Sequence, residues 1–144
     1  MKLDWSIITV DPITKTTKFS INNMTEKVSG FNLLCQKIVK RILTAKGSNV
    51  FNNDLGTNFF NLFGTISTKD VQQIKEIIPI LVDDLTQQIK TEQTEDILNN
   101  VSLTDEEILE SIELVSVDFD STFGGWVITL NIITKATQAT ISIP

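Results

Sequence analysis

Ile42-Leu43-Thr44-Ala45-Lys46-Gly47-Ser48-Asn49-Val50-Phe51-Asn52-Asn53-Asp54-Leu55-Gly56-Thr57-Asn58-Phe59-Phe60 is the stretch where one structural pattern stops and another begins. Before it, Phe31, Leu34, Cys35, Ile38, Val39 and Ile42 recur at three- and four-residue spacings, which is one face of an α-helix. Lys37, Lys40 and Arg41 fall on the other side, where water is expected to solvate them. Gly47 follows the periodic run, with Lys46 before it. Glycine tolerates the left-handed position that closes a helix, and late cations favour the negative end of its dipole. Asn52-Asn53-Asp54 reads as a turn, because short polar side chains bond their own backbone. Gly56 is a second positive-φ position. Phe59, Phe60, Leu62 and Phe63 then return the chain to the core. Gly47, Asp54 and Gly56 thus mark a structural elbow rather than a ligand loop.

Working outward, the first helix is expected from about Ser29 to Ala45. Upstream, Trp5 to Val10 and Thr16 to Ile21 are β-prone on either side of Asp11-Pro12, which suggests a hairpin or an extended arm. Asn22 to Gly30 is a polar connection. Downstream, a second helix starts near Thr68, a good N-cap, with Asp70 favourable in its first turn. Val71, Ile74, Ile78, Leu81, Val82, Leu85 and Ile89 form its apolar stripe. Pro79 inside that stripe removes a hydrogen bond and is expected to kink or split the helix. Residues 91–111 are polar and acidic, and Thr104 with Glu107 matches a capping box, so a short helix is expected over Asp105 to Glu110.

Ile112 to Phe119 alternates as a strand does, but slips phase between Leu114 and Val115, the mark of a bulge or of a strand buried on both faces. Gly124-Gly125 is a hairpin signal. Trp126 to Thr134 is its return strand, and Thr137 to Ile143 is a third β-prone run. The reading is one α+β domain over residues 1–144: two main helices, the second bent at proline, on a small C-terminal antiparallel β unit.

Composition narrows the function. At 144 residues and 41% apolar content, the chain can bury a core without staples. No apolar run approaches the ~20 residues that cross a bilayer. The opening Met1-Lys2-Leu3-Asp4-Trp5 is unlike a signal peptide, so a soluble protein made in a cytoplasm is expected, with no membrane partner. Cys35 is the single cysteine, on an apolar helix face, and there is no histidine. The commonest general base and metal ligand are therefore missing, and neither a metal site nor a cofactor is expected.

Residues 1–50 hold eight Lys/Arg against three Asp/Glu, the remainder four against fifteen, and ten acids lie between Lys90 and Lys135 without a base. Such polarity suits docking between partners of opposite sign. Nucleic acid is an unsuitable partner, because the net charge is −6 and the basic third has few aromatics to stack bases.

Paired carboxylates are the remaining route to catalysis, as in a small glycosidase. Asp83 with Asp84, Glu106 with Glu107, and Asp118 with Asp120 are the candidate pairs. All lie in polar surroundings and read as solvated faces. No phosphate-binding glycine loop and no nucleophile elbow occurs. A binding or structural role is favoured, and a generic interaction module is one form of it. The terminal β unit supplies a means: an open sheet edge accepts a strand through main-chain bonds, unless Lys135 and the chain end blunt it.

The elbow resembles one family pattern. Ile42, Leu43, Thr44, Gly47, Val50, Asp54, Gly56, Leu62 and Phe63 stand in register with the sheath-initiator component of contractile-tail baseplates, which occurs in phages and has a counterpart in type VI secretion. The chain departs at Ser48 and Asn49, where the family commonly has Glu-Arg, at Asn53, where it has Pro, and at Leu55, where it has an aromatic. The family's Glu-Pro-Arg motif after the second helix is missing, and residues 90–111 read as an insertion in its place. The resemblance implies a structural virion protein, assembled in the host cytoplasm and present in several copies per symmetric baseplate. It implies wedge proteins and the tail sheath as partners, near the tail tube. It also implies that the β unit templates the first sheath ring by strand exchange, through Trp126, Ile128, Leu130, Ile132, Thr137, Ala139, Ile141 and Ile143. Some relatives carry a lysozyme-like label, for which this sequence offers no support.

Overall fold

The computed structural model describes residues 4–5, 8–10, 17–19, 27–59, 62, 71–122 and 124–143. Near the N-terminus, β1 (Asp4–Trp5) pairs antiparallel with β4 (Lys27–Val28), and β2 (Ile8–Val10) pairs antiparallel with β3 (Thr17–Phe19). The two β-prone runs around Asp11-Pro12 therefore pair with each other. The helices are α1 (Gly30–Leu43) and α2 (Val71–Leu98). The C-terminal sheet has the order β5-β6-β7, from β5 (Leu109–Asp120), β6 (Gly125–Thr134) and β7 (Gln138–Ile143), all antiparallel. Helices segregated from an antiparallel sheet make this an α+β fold.

The expected apolar faces are the ones that pack. Leu34, Cys35, Ile38, Val39 and Ile42 of α1 meet Ile74, Ile78, Leu81, Val82, Leu85 and Ile89 of α2 in one core with the sheet's inner face. Ile128, Leu130 and Ile132 of β6 and Ile141 and Ile143 of β7 supply that face. Burial of each such side chain contributes about 1.5–3 kcal/mol. Phe59 and Leu62 join this core, whereas Phe60, Phe63, Thr68 and Asp70 lie outside the described residues.

Of the two outcomes expected at Pro79, a kink or a split, the helix is not split: α2 runs for 28 residues with Pro79 inside it. Pro79 is exposed between buried Ile78 and Leu81, so the hydrogen bond it cannot donate is missing on the solvent side of the helix, where its loss costs least. Residues 90–98, the start of the polar and acidic stretch, are the last turns of α2. The short helix over Asp105 to Glu110 is a single turn, with Glu107 N–H and Ile108 N–H donating to the Thr104 carbonyl at 2.9 and 3.2 Å. The capping-box carboxylate is nonetheless in place: Glu107 Oε2 accepts from Thr104 N at 2.8 Å and Thr104 Oγ1 at 2.9 Å. Sheet pairing overrides the local helical signal, because Leu109 N–H donates to Gln93 Oε1 at 3.0 Å and Leu109 pairs with Thr134.

The phase slip of the strand is a bulge. The register with β6 shifts between Leu114 and Ser116, leaving Val115 without an opposite residue, and shifts again between Leu109 and Ser111. The extra residue keeps Ile112 and Leu114 on the inner face with Val117 and Phe119 beyond it. Ser121, Thr122 and Gly124 lie in the hairpin turn, with Gly124 at φ 72° and Gly125 already paired to Asp120.

Candidate functional site

The elbow is built by main-chain bonds between its two ends. Thr57 N–H donates to the Thr44 carbonyl at 2.9 Å and Lys46 N–H to the Thr57 carbonyl at 3.1 Å, a parallel bridge of Ala45 with Thr57. Gly47 N–H reaches the Asn53 carbonyl at 3.0 Å, tying the loop across its middle. Asn49 Oδ1 accepts from Phe51 N at 2.9 Å and Asn52 N at 3.3 Å, and Asn52 Oδ1 from Asp54 N at 3.1 Å. These are Asx turns, the local chemistry expected of such residues. Asn49, not singled out from the sequence, is the first of them.

Gly47 and Gly56 both have positive φ, 85° and 101°. Their roles differ. A Cβ on Gly47 would meet open space, whereas one on Gly56 would press into the Thr44 carbonyl. Gly47 does not close α1 either. The C-cap is Thr44, whose N–H donates to the Arg41 carbonyl at 3.2 Å and whose Oγ1 donates to the Lys40 carbonyl at 2.7 Å. The helix ends there because Thr57, arriving from the far side, takes the next bonds: its Oγ1 donates to the Ile42 carbonyl at 3.2 Å.

The cations of α1 are not simply solvated, as the sequence suggested. Lys37 Nζ lies 2.8 Å from Glu92 Oε1, Arg41 pairs with Glu92 Oε2, and Arg41 Nη1 donates to Gln88 Oε1 at 3.2 Å. Gln88 Nε2 in turn donates to the Gly56 carbonyl at 2.9 Å. One face of α2 therefore holds both the cationic side of α1 and the elbow's return. This also gives part of the acidic tract an internal use, since Glu92 is the first of its ten acids.

The carboxylate pairs do not converge. Asp83 is exposed, while Asp84 accepts from Gln88 Nε2 at 3.1 Å and lies 4.0 Å from Lys46 Nζ. Asp118 is exposed, and Asp120 Oδ1 accepts from Thr122 N at 2.7 Å in the hairpin turn. Glu106 is exposed, but Glu107 is not: only 3% of it is accessible, and its Oε1 has no hydrogen-bond partner. The beside-lying cleft, formed by Leu33, Leu34, Lys37, Gln93, Leu103 and Glu107, has a volume of about 10 Å³. That is room for one water molecule and far too little for a sugar ring.

Cys35 is buried, and burial pushes its thiol up to about 12, so it is not a ready nucleophile. Among the described residues, no three His, Cys, Asp or Glu side chains gather as metal ligands, and no helix is long and apolar enough to cross a membrane.

The eight residues expected at a strand-capturing interface sit as follows. Ile128, Leu130, Ile132, Ala139, Ile141 and Ile143 are buried on the inner face. Trp126 is half-buried on that face, edge-on to Phe119 at 5.4 Å and 71°. Thr137 lies in the turn before β7, and its carbonyl accepts from Thr134 N at 2.8 Å and Thr134 Oγ1 at 2.9 Å. This corrects the expected interface. β6 is the central strand, paired on both sides over Ile128 to Ile133, so Ile128, Leu130 and Ile132 cannot accept an incoming strand. Their side chains, like those of Ala139, Ile141 and Ile143, are engaged in the core. What is left is the main chain along the outer side of β7.

Among the described residues β7 pairs with β6 alone, and β3 approaches it without pairing. β7 contains no charge, proline or bulge. Its outward residues Gln138, Thr140 and Ser142 are polar and uncharged, and Ser142 Oγ is 3.2 Å from Thr129 Oγ1. Lys135 is in the turn, not on the strand, and does not blunt it. The opposite edge, β5, is interrupted by two register shifts and carries exposed Glu110, Glu113 and Asp118. Those are devices that discourage strand addition; β7 has none of them. No family model, curated protein or solved structure matches the chain.

Proposed function

We propose that this chain is a structural, non-catalytic component of a contractile-tail baseplate, joining the wedge to the tail sheath and starting the first sheath ring by strand exchange at β7. The observation that carries the reading is the regular, uncharged outer edge of β7 beside a β5 edge that is bulged and acidic. Main-chain bonds at such an edge give affinity with little demand on sequence, which suits a template that begins a polymer. The elbow motif, in register with the sheath-initiator pattern, supplies the biological context. Wedge and sheath proteins are then the partners, several copies act per baseplate, and the place of action is the virion.

The test is the pair Thr140→Lys with Ser142→Lys. Both positions face outward, so the fold is expected to lose less than about 1 kcal/mol, as at ordinary surface sites. Lysines on this edge disfavour an added strand. Tails carrying the double variant should retain the chain by immunoblot but lack extended sheath in electron micrographs. Full-length sheaths on such tails would overturn the reading.

A further inference from the structure

Glu107 is the one buried charged side chain among the described residues. Its two carboxylate oxygens are treated differently. Oε2 accepts from Thr104 N and Thr104 Oγ1, which closes the turn ahead of β5. Oε1 is fully enclosed, and no donor among the described residues lies within reach of it. A carboxylate oxygen gives up its solvation on burial and is stable there only when donors replace it. Glu107 also walls the cleft where three segments meet: Lys37 comes from α1, Gln93 from α2, and Leu103 and Glu107 from the connection to β5. The cleft's volume of about 10 Å³ is that of a single water-sized group.

We infer that this cleft is a built site for one ordered water molecule, which donates to Glu107 Oε1 and accepts from Lys37 and Gln93. The donor count supports it. The Lys37 ammonium carries three N–H groups and gives one to Glu92 Oε1. The Gln93 carboxamide carries two and gives one to the Glu107 carbonyl. Each has a further N–H for an occupant of the cleft. A water held by these groups makes three hydrogen bonds, the usual number for a buried one. Charge selects water over an ion. Lys37 and Glu107 are the charged residues of the wall, one of each sign, so a cation or an anion would add an unbalanced charge. The water joins both helices to the turn that starts the sheet. The inference rests on that junction alone and stands apart from the baseplate reading.

The experiment is oxygen-17 magnetic relaxation dispersion of water on the full chain, which counts water molecules that stay bound for longer than the protein tumbles. The parent should hold one more such water than Glu107→Met, whose side chain keeps the length of the glutamate but offers no acceptor oxygen. Glu107→Met also loses the bonds to Thr104, so a second variant is needed in case it fails to fold. Lys37→Met keeps the carboxylate and removes one donor. It should keep the water but shorten its residence roughly tenfold, the size of one lost hydrogen bond. In crystals of the parent, the water oxygen should lie about 2.7–3.0 Å from Glu107 Oε1. Equal water counts in the parent and Glu107→Met, or an unchanged residence time in Lys37→Met, would overturn the inference. So would sodium-23 relaxation that is enhanced by the parent and not by Glu107→Met, because the occupant would then be a cation. Loss of sheath in the β7 double variant has no bearing on this result.

Discussion

The elbow and the outer edge of β7 dispose of their main-chain polar groups in opposite ways. Across residues 44–57, amides and carbonyls are tied to one another, to Asn side chains and to Gln88 of α2. Along β7, one side is bonded to β6 while the other has no paired strand among the described residues. Buried or rigid backbone must satisfy its hydrogen bonds internally, and only backbone facing water can leave them for a partner. Irregular structure is therefore not the adaptable part of this molecule. The irregular loop is over-determined at its base, and the regular strand has capacity to spare.

Four substitutions probe that contrast. Gly56→Val has the largest expected effect, because a β-branched residue at φ 101° must also clear the Thr44 carbonyl. A loss of about 3 kcal/mol or more is expected in urea unfolding. A variant as stable as the parent would mean that the elbow is as accommodating as the edge, and the contrast would fail. Glu92→Ala is next. It leaves Lys37 and Arg41, whose side chains are 24% and 15% accessible, without their shared carboxylate. Partial exposure screens the pair, so about 1–2 kcal/mol is expected, reduced further in high salt. A change below about 0.3 kcal/mol would show that α2 does not hold the cationic face in place.

Gly47→Ala should cost least, about 1 kcal/mol, since the new methyl meets open space and only the left-handed backbone is penalised. Thermal unfolding of Gly47→Ala and Gly56→Ala side by side sharpens the comparison: the second should be lower by several degrees, because only there is contact added to conformational strain. Equal midpoints would reduce both glycines to a conformational role.

Much of this architecture is legible in the residues, and the misses have physical causes. The apolar periodicities of Leu34 to Ile42 and Ile74 to Ile89 identify faces that do pack, because burial dominates helix placement. The slip between Leu114 and Val115 is visible as a break in alternation, since a bulge is the local means of restoring side chains to the core face. The capping box at Thr104 and Glu107 misleads because its hydrogen bonds form without a helix to follow. The anchoring of Leu109 by Gln93, sixteen residues away, cannot be read locally. The same holds for Lys37 and Arg41: on a helical wheel they look solvated, and only the antiparallel passage of α2 brings Glu92 to them.

Periodicity and turn chemistry encode the α+β order, the core stripes, the positive φ of Gly47 and Gly56, the bulge and the hairpin. These depend on residues a few positions apart, whose geometry is nearly independent of the rest of the chain. Which strand lies in the middle of the sheet is settled by contacts between distant segments, and among the described residues they leave β7 paired on one side only. Tertiary structure also decided that Gly56 is tight while Gly47 is open, since the obstructing Thr44 carbonyl belongs to the other end of the loop. Strand order and close approach are properties of contacts between distant segments. Near-identical local patterns in β6 and β7 thus give one strand paired on both sides and one paired, among the described residues, on a single side.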